Sequence, residues 1–484
     1  MILSLFWLAC TPTTSNDTSN DDDNADADTD TDADADADAD ADSDTDTDTD
    51  TDADTDACVS TGFATSVADW ALPEGYPDST FDTPYDDVPT DGLAWSVFDV
   101  GVGGVDLVVT ASPDDAAVGT TKWLVHSNTG ARFRANPVEV ALPPDFEPGT
   151  FALPYDASTT DKVVWGLTDL DGDDRADIVV AGTDSGAGGI GTNRWLFYKN
   201  TEDGFAQAST NWTLPDGYDG ALDTLSDVDP ADGVNWALID LTGDGKPDLV
   251  VSDTDADTAT IGTSKWVLHK NTGSGFGAAT DFSLPNDFEP DTFARFYDSS
   301  TTDKVVWGLW DFNDDGRPDI VVAGTDSGAG GIGATRWLVY ANSGSAFSDS
   351  TNWTLPTGFP EGTLDALVDL DDDSVDWTLT YLNGDARPDL VVTQDTADVS
   401  VGLTEWRVYA GGARKIEEAA SWTLPTDVGS SPFGALYDLT PTDGLAWTVM
   451  ALDKDAAPDL VVTRNATDAN VGVARWQLAA ALCE

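Results

Sequence analysis

The chain has 484 residues, of which 90 are Asp or Glu and 21 are Lys or Arg, giving a formal net charge of −69. That balance excludes nucleic acid, whose phosphates require a basic footprint, and docking on anionic lipid through the protein surface. Yet 40% hydrophobic residues and 18 Trp are too many for an acidic chain that stays unfolded throughout, and the length exceeds one ordinary core.

The chain begins with an apolar run, Met-Ile-Leu-Ser-Leu-Phe-Trp-Leu-Ala, followed by Cys10. The run is too short to span a bilayer, which takes about 20 residues. Leu8-Ala9-Cys10 resembles a bacterial lipobox, so residues 1–10 are expected to be a signal peptide with Cys10 as the lipidation site. The resemblance implies an exported protein, lipid-anchored in the cell envelope or on the outer surface of a bacterium. Residues 11–57 contain only Thr, Pro, Ser, Asn, Asp and Ala, with 20 Asp and no basic residue. Such a segment has nothing to bury and repels itself, and the expectation is a disordered linker. The remaining cysteines, Cys58 and Cys483, bracket residues 58–484, and an even pair in an exported chain points to a disulfide.

From there the chain repeats. Trp95, Trp165, Trp236, Trp307, Trp377 and Trp447 form one ladder; Trp123, Trp195, Trp266, Trp337, Trp406 and Trp476 form a second. A third, Trp70, Trp212, Trp353 and Trp422, is completed by Val140 and Phe282. Six units of about 70 residues follow. Each holds four short apolar runs bounded by Gly, Asp, Asn and Pro. In the third unit these are 234–240, 248–252, 265–270 and 279–284, and no stretch has a sustained helical period. Four-stranded units in series make a β-propeller, here expected to be all-β with six blades. The stretch around Trp70 is a fourth strand without its first three, and the last unit stops after its third. The N-terminal strand is therefore expected to complete the final blade and close the ring, leaving no open edge.

Between first and second strands lies an Asp-rich turn. The second unit has Asp169-Leu-Asp171-Gly172-Asp173-Asp-Arg-Ala-Asp177; the third has Asp240-Leu-Thr242-Gly243-Asp244-Gly-Lys-Pro-Asp248; the fourth has Asp311-Phe-Asn313-Asp314-Asp315-Gly-Arg-Pro-Asp319. Each runs into an apolar strand. These turns, with the Val-Val strand and the repetition, resemble FG-GAP/VCBS repeats, the units of integrin alpha-subunit N-terminal propellers and of many bacterial surface proteins. Integrin propellers have seven blades against the six counted here, so their ligands are not carried across.

The resemblance implies Ca²⁺ held by loop positions one, three, five and nine. Calcium takes six to eight oxygen ligands, which alternate residues of a tight loop can supply. The implied ligands are Asp169, Asp171, Asp173 and Asp177 in the second unit; Asp240, Thr242, Asp244 and Asp248 in the third; and Asp311, Asn313, Asp315 and Asp319 in the fourth. Two to three sites are expected. In the fifth and sixth loops Tyr381 and Ala451 take the first position, and the first loop has Gly101 and Gly103 beside Asp99 and Asp106, so these are expected to bind nothing.

Gly186-Ala-Gly188-Gly189-Ile-Gly191 matches a dinucleotide fingerprint, but a strand pattern follows where a helix is required, so no cofactor is expected. His126 and His269 are the only histidines, and Tyr198, Tyr340 and Tyr409 take their place in other units, which reads as packing rather than chemistry. No catalytic residue is singled out. The expected function is a monomeric surface module that binds or adheres to an extracellular protein or glycan; a lectin, or a propeller-based hydrolase or polysaccharide lyase, is the alternative. Binding is expected opposite the metal loops, near Asp184, Asp255, Asp326 and Asp395.

Overall fold

The computed structural model describes residues 59–483 apart from 87–91, 101–103, 145, 156–162, 184–186, 202–203, 228–232, 255–259, 299–304, 326–328, 361, 370–373, 429–432, 440–443 and 456. The expected leader, Cys10, the acidic linker and Cys58 lie outside the described residues.

The fold is an all-β propeller. In the third unit Val234–Ile239, Asp248–Thr254, Lys265–His269 and Thr280–Ser283 form an antiparallel sheet in chain order, within two residues of the runs read from sequence. The second and fourth units do the same, through Val163–Thr168, Asp177–Thr183, Arg194–Tyr198 and Thr210–Thr213, and through Val305–Trp310, Asp319–Thr325, Arg336–Tyr340 and Thr351–Thr354. A register shift precedes the first-strand Trp in every unit. It is a bulge that turns the indole into the space between neighbouring sheets.

The expected count of six separate blades requires correction. Five sheets stand as discrete blades of four or five strands. The first unit's strands, Ala94–Phe98, Asp106–Ala111, Lys122–His126 and Val138–Ala141, lie instead within a seven-stranded sheet. That sheet is extended on one side by Tyr85–Asp86 and on the other by a hairpin of the second unit, Asn200–Thr201 with Gly204–Phe205. The hairpin joins through a parallel pairing of Gly204 with Ala141. A similar parallel bridge ties the corresponding hairpin to the preceding fourth strand at Ala71 and Arg132, Thr213 and Gly275, Ser283 and Ala346, and Thr354 and Lys415. The difference at the first unit lies in the hairpin: Asn200–Thr201 and Gly204–Phe205 pair at two positions, where the corresponding hairpins pair once, at Asn128 and Phe133, Asn271 and Phe276, or Asn342 and Phe347, so the same single parallel bridge there joins a strand pair to the sheet.

The ends of the propeller meet inside such a hairpin. Ala481–Cys483 pairs with Ser60–Phe63, and Ala68–Ala71 then pairs with Arg475–Ala479 as the fourth strand of the last sheet. Phe63 packs edge-on against Trp406 and Trp422 at 5.6 and 5.2 Å, as Phe205 does against Trp123 at 5.5 Å.

Tryptophan organises what lies between the sheets. A third-strand Trp meets the next unit's first-strand Trp in five pairs with centroids 5.9–6.3 Å apart, including Trp476 with Trp95 across the seam. Their indole N–H groups donate to carbonyls of the segment crossing between units: Trp123 to Phe151, Trp195 to Leu222, Trp266 to Phe293, Trp337 to Leu364 and Trp406 to Phe433, at 2.7–2.8 Å. A buried indole thus satisfies its donor while fixing a long connection. In the first, third, fifth and sixth units a second-strand hydroxyl (Thr110, Ser252, Thr393, Thr463) also bonds a crossing carbonyl. In the second and fourth units Gly182 and Gly324 let that segment approach so closely that a Cβ would lie 2.3 Å from the Asp223 carbonyl oxygen and 2.1 Å from that of Asp365.

Candidate metal centre

The loops of the second, third and fourth units fold around their first aspartate. Asp169 accepts hydrogen bonds from the backbone N–H of Gly172, Asp173 and Asp174 at 2.8, 3.1 and 2.8 Å. Asp240 does so from Gly243, Asp244 and Gly245, and Asp311 from Asp314, Asp315 and Gly316. The fourth and sixth positions carry positive φ in all three loops, Asp174 and Asp314 taking that conformation at 63° and 62° where glycine serves elsewhere. Burial raises the carboxyl pKa of all three first aspartates, and their backbone bonds work against it.

The ninth aspartate has a second task. Asp177 accepts from the N–H of Asn200 at 2.7 Å and of Leu170 at 3.3 Å, so it ties the loop to the hairpin after the third strand. Asp319 makes the same pair of bonds, to Asn342 and Phe312, and Asp248 accepts from Asn271 and, one residue further along its loop, from Thr242. In the fifth and sixth units Asp389 and Asp459 do likewise although those loops lack the full pattern. In the first unit Asp106 accepts from Asn128 at 2.7 Å. The ninth position is thus a structural clasp in every unit, which a reading of it as a metal ligand alone had missed. Burial first, then neighbouring carboxylates, raise these groups: Asp177 to about 8, Asp319, Asp389 and Asp459 to about 7, Asp106 and Asp248 to about 6.

The third position is the one left open. Asp171 Oδ1, Thr242 Oγ1 and Asn313 Oδ1 are each buried without a hydrogen-bond partner. Three loops of differing sequence thus orphan an oxygen at the same place, and a buried acceptor without a donor is costly. Carboxylate oxygens of Asp169, Asp171 and Asp173 lie within 4.8 Å of one another. These oxygens, with hard donors on alternate residues, fit a Ca²⁺ ion. Lys199 Nζ reaches Asp171 at 2.6 Å and Asp173 at 2.8 Å; Lys270 Nζ reaches Asp244 at 3.1 Å. Burial raises the Asp173 carboxyl, but bonds from Lys199 and Arg175 outweigh it and hold the group below the usual range.

One cluster was not expected. Asp453, Asp455 and Asp459 also bring carboxylate oxygens within 4.8 Å of one another. Ala451 at the first position hid this loop, and the surviving third, fifth and ninth aspartates were the signal that could have found it.

Loop residues also reach the neighbouring unit. A Cβ on Gly172 would meet the Lys246 stem at 2.7 Å, and one on Gly243 would meet the Arg317 stem at 2.5 Å. Arg387 lies 3.5 Å from Asp314.

The histidines are structural. His126 Nδ1 bonds the Arg134 carbonyl at 2.8 Å and Nε2 the Tyr76 hydroxyl at 2.8 Å; His269 repeats this with Gly277 and Tyr218. Where Tyr198, Tyr340 and Tyr409 replace them, Phe146, Phe288 and Phe359 replace the tyrosine partner. On the face expected to bind, Asp184, Asp255 and Asp326 lie outside the described residues, and Asp395 pairs with Arg407 at 3.0 Å.

No family model matches the chain, and no curated protein matches it. Among solved structures, it is similar to the Tc holotoxin pore of Photorhabdus luminescens, with 14% identity and a TM-score of 0.50 over 87% of this chain; it spans 15% of that one. An Agrocybe aegerita lectin that specifically recognises non-reducing terminal N-acetylglucosamine aligns at 18% identity and a TM-score of 0.41, over 77% of this chain and 75% of that one. An exo-β-1,3-galactanase from Phanerochaete chrysosporium aligns at 9% identity and a TM-score of 0.27, over 83% of this chain and 80% of that one. At these identities the likeness to the first is one of fold.

Proposed function

We propose that the chain is a calcium-stabilised binding module of the FG-GAP/VCBS type, held at a bacterial surface by a lipid on Cys10 and an acidic spacer, and that its ligand is an extracellular protein or glycan. The observation that carries the calcium reading is the orphaned third-position oxygen repeated at Asp171, Thr242 and Asn313. Asp169, Asp173, Asp240, Asp244, Asp311 and Asp315 would complete the cages, with Asp177, Asp248 and Asp319 closing them from the second strand. Bound calcium would neutralise carboxylates that otherwise repel. A binding role, rather than catalysis, is supported by where the reactive side chains are spent: both histidines are engaged by tyrosine and carbonyl, and the ladder tryptophans sit in the core.

Calcium titration of the full chain tests the metal. Each filled site adds about 2.7 kcal/mol at a hundredfold excess over Kd, so chelator should lower Tm. No bound calcium by metal analysis, with an unchanged melt in chelator, refutes it. A glycan array and a pull-down from a native surface test the ligand class.

A further inference from the structure

The second and fourth loops differ in one respect that bears on how they would take a metal. Both have an arginine two residues after the fifth position that pairs with it, Arg175 with Asp173 and Arg317 with Asp315. Only the second also receives a lysine: Lys199, just past the third strand, places its ammonium between Asp171 and Asp173. The third unit has Lys270 at the same place, bonded to Asp244. The fourth unit has Ala341 there, and Asn313 where the second has Asp171. The lysine thus accompanies the additional carboxylate in the second loop, and its ammonium lies against oxygens that a divalent ion would claim.

We propose that Lys199 and Lys270 are tethered counter-cations that hold the second and third cages together when metal is absent and must be displaced for calcium to enter, so that the fourth loop fills first. This rests on the calcium reading above. A tethered ammonium has a high local concentration but a single charge and no capacity for multiple oxygen ligands. It therefore loses to calcium only when calcium is abundant. The protein would respond to calcium in steps: a tighter site at the fourth loop, where Ala341 stands in place of the lysine and Arg317 still pairs with Asp315, and weaker sites that close as the lysines swing out.

The test is calorimetric titration of the full chain with calcium chloride alone, using wild type, Lys199→Met, Lys270→Met and Ala341→Lys. Methionine keeps an unbranched apolar stem and removes the charge. Lys199→Met should tighten its site by about tenfold, as two part-exposed ion pairs of ordinary strength imply, and Lys270→Met, which removes the one pair with Asp244, by about threefold; Ala341→Lys should loosen the tightest site by about threefold or more. Binding by wild type with no gain in Lys199→Met overturns the proposal and leaves the calcium reading standing; no binding by any variant overturns both. Melting in chelator supplies a second readout. Lys199→Met should lower Tm there, and saturating calcium should erase the difference. An equal deficit with and without calcium would make Lys199 a fixed ion pair and overturn displacement.

Discussion

Replacing Asp389 by alanine separates the structural role of these loops from the metal-binding role proposed for them. The fifth unit is suited to this because Tyr381 takes the first position of its loop. Asp389 is buried, and it accepts hydrogen bonds from the N–H of Leu382 at 3.0 Å, Asn383 at 2.9 Å and Gly411 at 3.2 Å. Bonds to a charged acceptor are worth about 1.5–3 kcal/mol each, so their loss costs about 5–9 kcal/mol. Against this stands the cost of burying the carboxylate. Its rise from 3.8 to about 7 corresponds to about 4 kcal/mol at a pH above both values. The net expectation for Asp389→Ala is a loss of about 1–5 kcal/mol, read from urea unfolding by tryptophan fluorescence in chelator at pH 8. Asp389→Asn, which keeps one acceptor and removes the charge, should lose less. Asp171→Ala, at the open position, should change stability by under about 1 kcal/mol in the same buffer. An Asp389→Ala variant within 1 kcal/mol of wild type would refute the clasp, and equal losses at Asp171 and Asp389 would refute the division of labour.

In metal-free protein the raised ninth aspartates set the sign of the pH dependence. Their folded pKa values, about 6 to 8 against 3.8, mean that the native state binds protons more readily. The stability they contribute is complete below pH 3.8 and is lost as pH rises through 6–8. Tm in chelator should therefore be higher at pH 5 than at pH 8, with a shallower slope in Asp389→Asn; a flat or inverted profile would count against it. Gly324→Ala should cost about 1–3 kcal/mol, because its Cβ would meet the Asp365 carbonyl oxygen at 2.1 Å; an unaltered urea midpoint would show that the crossing segment yields freely. Cys58 and Cys483 should be found as a disulfide in a non-reducing peptide map of exported protein, since Ser60 pairs with Cys483; two free thiols would sink this.

The sequence made the repeat plain because tryptophan recurs at one register in each sheet, and bulky core residues at fixed intervals are hard to read otherwise. Strand limits followed from the Gly, Asp and Pro around them. The merging of the first unit into a seven-stranded sheet was not visible: it depends on a second backbone pair forming in the hairpin of Asn200–Thr201 with Gly204–Phe205, and backbone pairing of a loop leaves no side-chain signature. The Asp-rich turns were legible as loops that fold around their first residue, as Asp169, Asp240 and Asp311 do. The clasp was not, because an aspartate that binds backbone N–H looks the same in sequence as one that binds calcium. In the sixth loop Ala451 takes the first position, and only the fold shows that Asp453, Asp455 and Asp459 converge.

The interrupted hairpin between Cys483 and Ser60 orders events during synthesis. Trp476 donates its indole N–H to the Phe81 carbonyl, a partner 395 residues away in sequence, and Ala68–Ala71 has its antiparallel neighbour only in Arg475–Ala479. A chain emerging from its N-terminus must therefore carry an unpaired strand until Arg475–Ala479 has been made, while the middle units can pair locally as they appear. Closing so long a loop is entropically slow to find but costs little more than closing one of half the length. The final step of folding is then a latch, set by the two ends together. A nick or truncation that removes Arg475–Ala479 would leave most sheets intact but the ring unlatched, with the edge of Ala68–Ala71 open to pairing with another copy.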